Sequence, residues 1–175
     1  TLTVVISLFF SFVNAEVVNK INITGNKRVS EETIKIYGEI EIKKNYSEGK
    51  INEIIKNLYS TDFFEDIQIE LKNNVLNIKV KEYPIINQLI IIGEKSNKYK
   101  EQIIKLIQSK EKKSLIRPYL AKDIEIIKKL YSSAGYNSSN VDVKVKKIDE
   151  YNYDMVIEID RGDQTKITSI NFIGN

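Results

Sequence analysis

A short apolar strand ending on glycine occurs three times in this 175-residue chain, and that repeat limits the fold more than any composition does. The copies are Lys20-Ile21-Asn22-Ile23-Thr24-Gly25-Asn26, Gln88-Leu89-Ile90-Ile91-Ile92-Gly93-Glu94 and Ser169-Ile170-Asn171-Phe172-Ile173-Gly174-Asn175. Their glycines stand 68 and then 81 residues apart. Each copy reads as the first strand of a unit, with glycine at a turn that needs positive φ. Two whole units fit between the three copies. Tandem arrays of this kind usually bind rather than catalyse.

Units of this length lie near the lower limit at which a chain buries a self-sufficient core. There is no Cys, so no disulfide staples them and no thiolate can hold a metal. There is no His either, which removes the commonest general base and the commonest metal ligand. No phosphate-cradling glycine loop, dinucleotide fingerprint or metal-ligand spacing is present. The carboxylate pairs Glu31/Glu32, Glu65/Asp66 and Asp149/Glu150 are neighbours in sequence, and such neighbours point different ways on a helix or strand. These features argue against an enzyme and imply no cofactor.

A net charge of +3 invites a nucleic-acid partner, but the residues behind it do not support one. The chain holds 24 Lys, 31 Ile and 17 Asn beside only three Arg, the bias of an A/T-rich coding sequence. A phosphate-binding surface is expected to be richer in Arg, whose planar fork reads phosphate bidentately. Lys and Asp/Glu are also interspersed, with no basic block standing apart. The charge reads as a solvated surface.

The first fifteen residues differ from all that follow. Leu2 to Val13 is an uncharged apolar run, and Val13-Asn14-Ala15 fits a small-residue cleavage site. The run is shorter than the roughly 20 residues a spanning helix needs. No Met or basic stretch precedes it, so 1–15 is expected to be a partial signal peptide, with an exported protein starting at Glu16. A buried strand is the alternative.

In the first unit Val18 to Thr24 reads as a strand. Ser30 then caps a short helix whose apolar face is Ile34, Tyr37 and Ile40, with Glu31 and Glu32 in its first turn. Ser47 caps a second helix, where Ile51, Ile54, Ile55, Leu58 and Tyr59 form a helical stripe expected to be buried. One ring of Phe63-Phe64 is expected to plug the core where this helix meets the next strand. Ile67, Ile69 and Leu71 alternate with polar residues, Asn73-Asn74 supplies a tight hairpin, and Leu76, Ile78 and Val80 alternate on the way back. The second unit repeats this β-α-α-β-β order. Leu89 to Ile92 is its first strand, and a helix over 98–107 turns Ile103, Leu106 and Ile107 inward. Pro118 lies early in the next helix, whose stripe is Leu120, Ile124, Ile127 and Tyr131, and Gly135 ends it. Strands around Val141–Val145 and Met155–Ile159 complete the unit.

Tyr83 and Pro84 join the two units with almost no linker, and Arg161-Gly162-Asp163 does the same at the far end. Pro84 fixes φ and biases Tyr83 toward an extended backbone, so a semi-rigid spacer is expected; an ordinary tight connection would look alike. Arg161-Gly162-Asp163 also spells a cell-adhesion tripeptide, a match short enough to arise by chance. Backbone is the better functional element. A three-stranded mixed sheet covered on one face by two helices leaves edges whose N–H and C=O groups can accept another chain. The final hairpin should leave its first strand at an edge. The candidate residues are Asp66, Ile67, Gln68, Ile69, Glu70 and Leu71 in the first unit, and Val141, Asp142, Val143, Lys144, Val145 and Lys146 in the second. Their charged side chains are equally explained as guards against aggregation.

The β-α-α-β-β order, the opening Ile21-Asn22-Ile23-Thr24-Gly25-Asn26-Lys27-Arg28-Val29 and the run from Leu58 through Asp62-Phe63-Phe64 to Ile67 resemble a polypeptide-transport-associated (POTRA) domain. So do Val80-Lys81-Glu82-Tyr83-Pro84-Ile85 and the stretch from Tyr131 to Tyr136 with Gly135. The likeness covers everything after Ala15. It departs at Asp62, where the family often has Gly, and at Tyr83, where a basic residue is common; Asp tolerates the turn less well than Gly. The resemblance implies an α+β fold of tandem POTRA domains at 16–83 and 84–162, with 163–175 the first strand of a truncated third. It also implies a periplasmic array attached to the outer membrane through a C-terminal β-barrel absent from this chain. Within an outer-membrane protein assembly factor, such an array would bind unfolded outer-membrane proteins and accessory assembly lipoproteins, with no cofactor, metal or nucleic acid. The alternatives are a POTRA array of a related translocation-assembly or two-partner secretion transporter and, from a different class, a secreted nucleic-acid-binding protein.

Overall fold

Two α+β units make up the chain, dividing between Glu82 and Tyr83. The computed structural model describes residues 16–166, 169, 172 and 173. The signal peptide expected over 1–15, and most of the strand expected over 169–175, lie outside these residues.

The first unit runs β1 (Glu16–Val17), β2 (Lys20–Thr24), α1 (Glu31–Gly38), β3 (Asn45–Tyr46), α2 (Glu48–Tyr59), β4 (Phe64–Lys72) and β5 (Val75–Glu82). Ser30 and Ser47 start the two helices, their hydroxyls accepting from the N–H groups of Thr33 at 3.1 Å and Lys50 at 3.3 Å. Asn73 and Asn74 take φ values of 52° and 62°, which lets two residues close the β4–β5 hairpin. The sheet order is β2-β5-β4, with the central β5 parallel to β2 and antiparallel to β4. A parallel pair cannot be joined by a tight turn, and α1 and α2 supply the crossover. Val18, Ile34, Ile54, Leu58 and Leu76 are fully enclosed, and Phe64 is the ring that plugs the core.

Three details depart from the periodic reading. The strand expected from Val18 to Thr24 is broken, because Val18 exchanges backbone hydrogen bonds with Lys43 and Lys44 and β1 pairs with β3. Helix α1 stops at Gly38, where Glu39 turns left-handed, so Ile40 enters the core from beyond the helix while Tyr37 lies half exposed. Tyr59, the last member of the α2 stripe, is 41% exposed.

The second unit comprises β6 (Ile85–Ile92), α3 (Asn97–Leu106), α4 (Arg117–Ser133), β7 (Asn140–Lys147) and β8 (Asn152–Asp160). Its sheet order, β6-β8-β7, repeats the first arrangement with β8 central. Pro118 sits in the first turn of α4, where its missing N–H costs nothing. Ile86, Ile103, Ile127, Tyr131 and Ile157 are fully enclosed. Leu106, expected to turn inward, is half exposed, because α3 ends there and Ile107 leaves the helix to enter the core.

Each unit ties down the loop after its first strand with a buried carboxylate. The signs of the paired groups are exchanged between the units. In the first, Glu82 at the end of β5 accepts from the N–H groups of Lys27, Arg28 and Val29 at 2.6, 3.0 and 3.0 Å. Arg28 Nε adds a contact at 3.4 Å. In the second, the acid is Glu94 in the loop itself, and the cation is Arg161 just past β8. Glu94 accepts from the Tyr131 hydroxyl at 2.5 Å and from the Ser96 N–H at 2.6 Å. Arg161 lies over the Tyr136 ring, 5.1 Å from its centre.

Burial pushes the Glu94 carboxyl up, but the bonds from Tyr131 and Ser96 and the charge of Arg161 outweigh it and hold it below its ordinary value. Burial, together with Glu94, pushes the Tyr131 phenol well above its own. A carboxyl held below its unfolded value stabilises the fold above that value and loses the contribution as pH falls through the folded one. The second unit is therefore expected to weaken on acidification below 4.5, the ordinary value for glutamate. In urea unfolding, the stability gap between the parent and Glu94→Gln should shrink over that range. A gap that stays constant from neutral pH to about pH 3 would show that Glu94 is not responsible.

Candidate functional site

Each three-stranded sheet has two outer strands, and their edges are not equally open. The segment between the helices lies against the first strand in both units. In the first, Lys43 N–H donates to the Val18 carbonyl at 2.7 Å and Val18 N–H to that of Lys44 at 2.9 Å, covering the chain as it enters β2. In the second, Ile86 exchanges bonds of 2.7 and 2.8 Å with Lys112 and Lys113, and Leu89 N–H donates to the Glu111 carboxylate at 2.9 Å. The hairpin strands β4 and β7 form the opposite edges.

Asp66 to Leu71 lie on β4 and Val141 to Lys146 on β7, so the structure places both expected runs at sheet edges. Only alternate residues in each run can offer an N–H outward. A two-residue turn makes Lys72 and Val75 a hydrogen-bonded pair, and bonded pairs alternate with non-bonded ones along an antiparallel ladder. Asp66, Gln68 and Glu70, opposite Lys81, Lys79 and Asn77, therefore direct their N–H groups at β5. Ile67, Ile69 and Leu71 direct theirs away from it. In β7, Ile148 N–H donates to the Asn152 carbonyl at 2.9 Å and sets the phase. Asp142, Lys144 and Lys146 then bond β8, while Val141, Val143 and Val145 face outward.

The side chains of Asp66, Gln68 and Glu70, and of Asp142, Lys144 and Lys146, are exposed. Lys144 reaches Glu158 on the central strand at 2.6 Å, and Gln68 donates to Asp66 at 2.9 Å. One outward N–H is already used within the fold, since Ile67 donates to the Tyr59 hydroxyl at 3.3 Å. Periodicity assigned Tyr59 to a buried stripe and missed this bond. The available signal was its place at the end of α2, beside the turn into the edge strand. Tyr83 and Pro84 separate β5 from β6, and the Pro84 carbonyl accepts from Leu115 N–H at 2.7 Å. Among the described residues no group of carboxylates could hold a metal ion.

The POTRA family, described as a surface antigen variable number repeat, matches this chain at residues 16–83 and again at 84–162. The outer membrane protein assembly factor BamA of Neorickettsia risticii (strain Illinois) is 27% identical over 165 residues, which cover 94% of this chain and 22% of the relative. BamA of Neisseria meningitidis serogroup B is 29% identical over 161 residues, 90% of this chain and 20% of the relative. The chain thus spans about a fifth of the length of these curated relatives. Its fold is similar to the N-terminal domain of Omp85 from the thermophilic cyanobacterium Thermosynechococcus elongatus, with a TM-score of 0.54 at 13% identity. That likeness covers 90% of this chain and 74% of the other, and concerns the fold alone. With the same β-α-α-β-β order built twice and the family's pattern matched over both copies, this chain belongs to the POTRA family.

Proposed function

We propose that this chain is the periplasmic POTRA portion of an outer-membrane protein assembly factor. It binds unfolded β-barrel clients and accessory lipoproteins by strand addition, for insertion of the clients into the outer membrane. A β-barrel elsewhere in the full protein would hold it to that membrane. The observation that carries this reading is the row of outward N–H groups on β4 and β7, set against first strands whose outer sides are partly occupied. Strand addition draws affinity from main-chain bonds and selectivity from alternate side chains. It therefore suits clients that share an alternating apolar pattern and little else. The likeness to BamA relatives supports the cellular setting.

Proline tests the mechanism, because it deletes a single N–H. Lys144→Pro removes a bond to β8 and is expected to cost the second unit about 1–3 kcal/mol, the range for leaving a backbone acceptor without its donor. Val143→Pro removes an outward N–H, at a place where edge strands accept proline. It should leave the unit folded and weaken binding of an alternating valine–threonine peptide about tenfold relative to Val143→Ala, which loses the side chain but keeps the N–H. Amide shifts during titration report both site and affinity. A folded Val143→Pro chain that binds as well as Val143→Ala would mean that clients do not add to this edge.

A further inference from the structure

We infer that Tyr59 is a latch on the first unit's receiving edge, its hydroxyl holding an N–H that an added strand would otherwise take, so that β7 is the more open of the two edges. The inference rests on the strand-addition reading and concerns which edge receives, and over what length. Two observations agree on the direction of the Ile67 N–H. The hairpin register turns it away from β5, and the Tyr59 hydroxyl accepts from it at 3.3 Å. An added strand can therefore pair freely with only Ile69 and Leu71 on β4, and must displace a phenol to reach Ile67.

Among the described residues the latch belongs to the first unit alone. Asp62, with φ 60°, and Gly135, with φ 87°, are the left-handed residues of the turn that follows the second helix in each unit. Three positions before them stand Tyr59 and Ser132. The Ser132 hydroxyl donates to the Asn137 side chain at 2.9 Å, so the second unit spends this position on its own turn. A short serine also lacks the reach of a phenol. Among the described residues, the outward positions Val141, Val143 and Val145 of β7 consequently carry no counterpart of Tyr59. Tyr59 is 41% exposed, so its hydroxyl can exchange the Ile67 N–H for water when a strand arrives. The latch lowers the affinity of β4 without abolishing it.

Tyr59→Phe keeps the ring and removes the hydroxyl, and Tyr59→Leu keeps an apolar side chain; both should behave alike in the 175-residue chain. Without ligand, the Ile67 amide should exchange faster in the variants while those of Ile69 and Leu71 stay as they were. The probe is a peptide of alternating valine and threonine with lysine at each end. It should shift the Ile67 amide at lower peptide concentration in the variants than in the parent, bind β4 about fivefold more tightly there, and bind β7 unchanged. If β4 affinity is the same with and without the hydroxyl while Ile69 and Leu71 still respond, the latch is overturned and strand addition stands. If neither β4 nor β7 responds to the peptide, strand addition itself fails and the latch with it.

Discussion

Gly93→Ala is expected to destabilise the second unit by about 3–5 kcal/mol, and Gly25→Ala to do the same to the first. Both glycines have strongly positive φ, 84° and 87°. A side chain in that region costs about 1–2 kcal/mol by itself. The larger share comes from what a Cβ would meet. At Gly93 it would fall 1.9 Å from the Ile159 carbonyl oxygen, and at Gly25 2.0 Å from that of Val80. These are backbone atoms of the central strands, so the strand ends must shift and loosen their ladders. Gly135 is the control: its φ is also 87°, but the nearest atom to a Cβ is Cγ of the flexible Gln164 side chain at 3.3 Å. Gly135→Ala should lose only the conformational part, about 1–2 kcal/mol. Residue-resolved urea unfolding separates the three. Equal losses at Gly93 and Gly135 would show that close approach to the strand is not what requires glycine.

Glu82→Ala is expected to cost the first unit about 3–5 kcal/mol, the range for breaking a buried charged contact from one side. The Glu82 carboxylate is 1% exposed and gathers the N–H groups of Lys27, Arg28 and Val29. Alanine would leave those donors unpaired at the point where the loop enters α1. Glu82→Gln keeps one acceptor oxygen in place and should recover part of the loss. Chemical denaturation followed at core amides of each unit measures both variants. A loss below about 1 kcal/mol for Glu82→Ala would mean that water replaces the carboxylate, and that the loop does not depend on it.

Much of the fold was legible because its signals are local. A serine before an acidic turn and an apolar stripe mark a helix start, and Ser30 and Ser47 do cap α1 and α2. Asn73-Asn74 between alternating runs marks a hairpin, since few residue types accept two positive φ angles in succession. The side chains whose burial periodicity misplaced are all at helix ends. Tyr37, Tyr59 and Leu106 lie in or beside a last helical turn, where whether a position is covered depends on the next element's path. Glu82 was visible only as one letter of a motif before proline. Its partners stand 53 to 55 residues away, and nothing near it in sequence reveals them.

The candidate edges divide in the same way. Sequence alone determined that two units of this order form, because strand, helix and turn signals depend on near neighbours. Which strand of each hairpin lies outermost was an expectation from that order, and it rests on pairing across the chain, Lys20 with Val75 and Ile85 with Asn152. Tertiary structure decided which alternate N–H groups face outward, that the linker between the helices lies against the first strands, and that Tyr59 holds one N–H of β4. The direction of a hydrogen bond belongs to a paired register, and a strand has no register until its partner is in place.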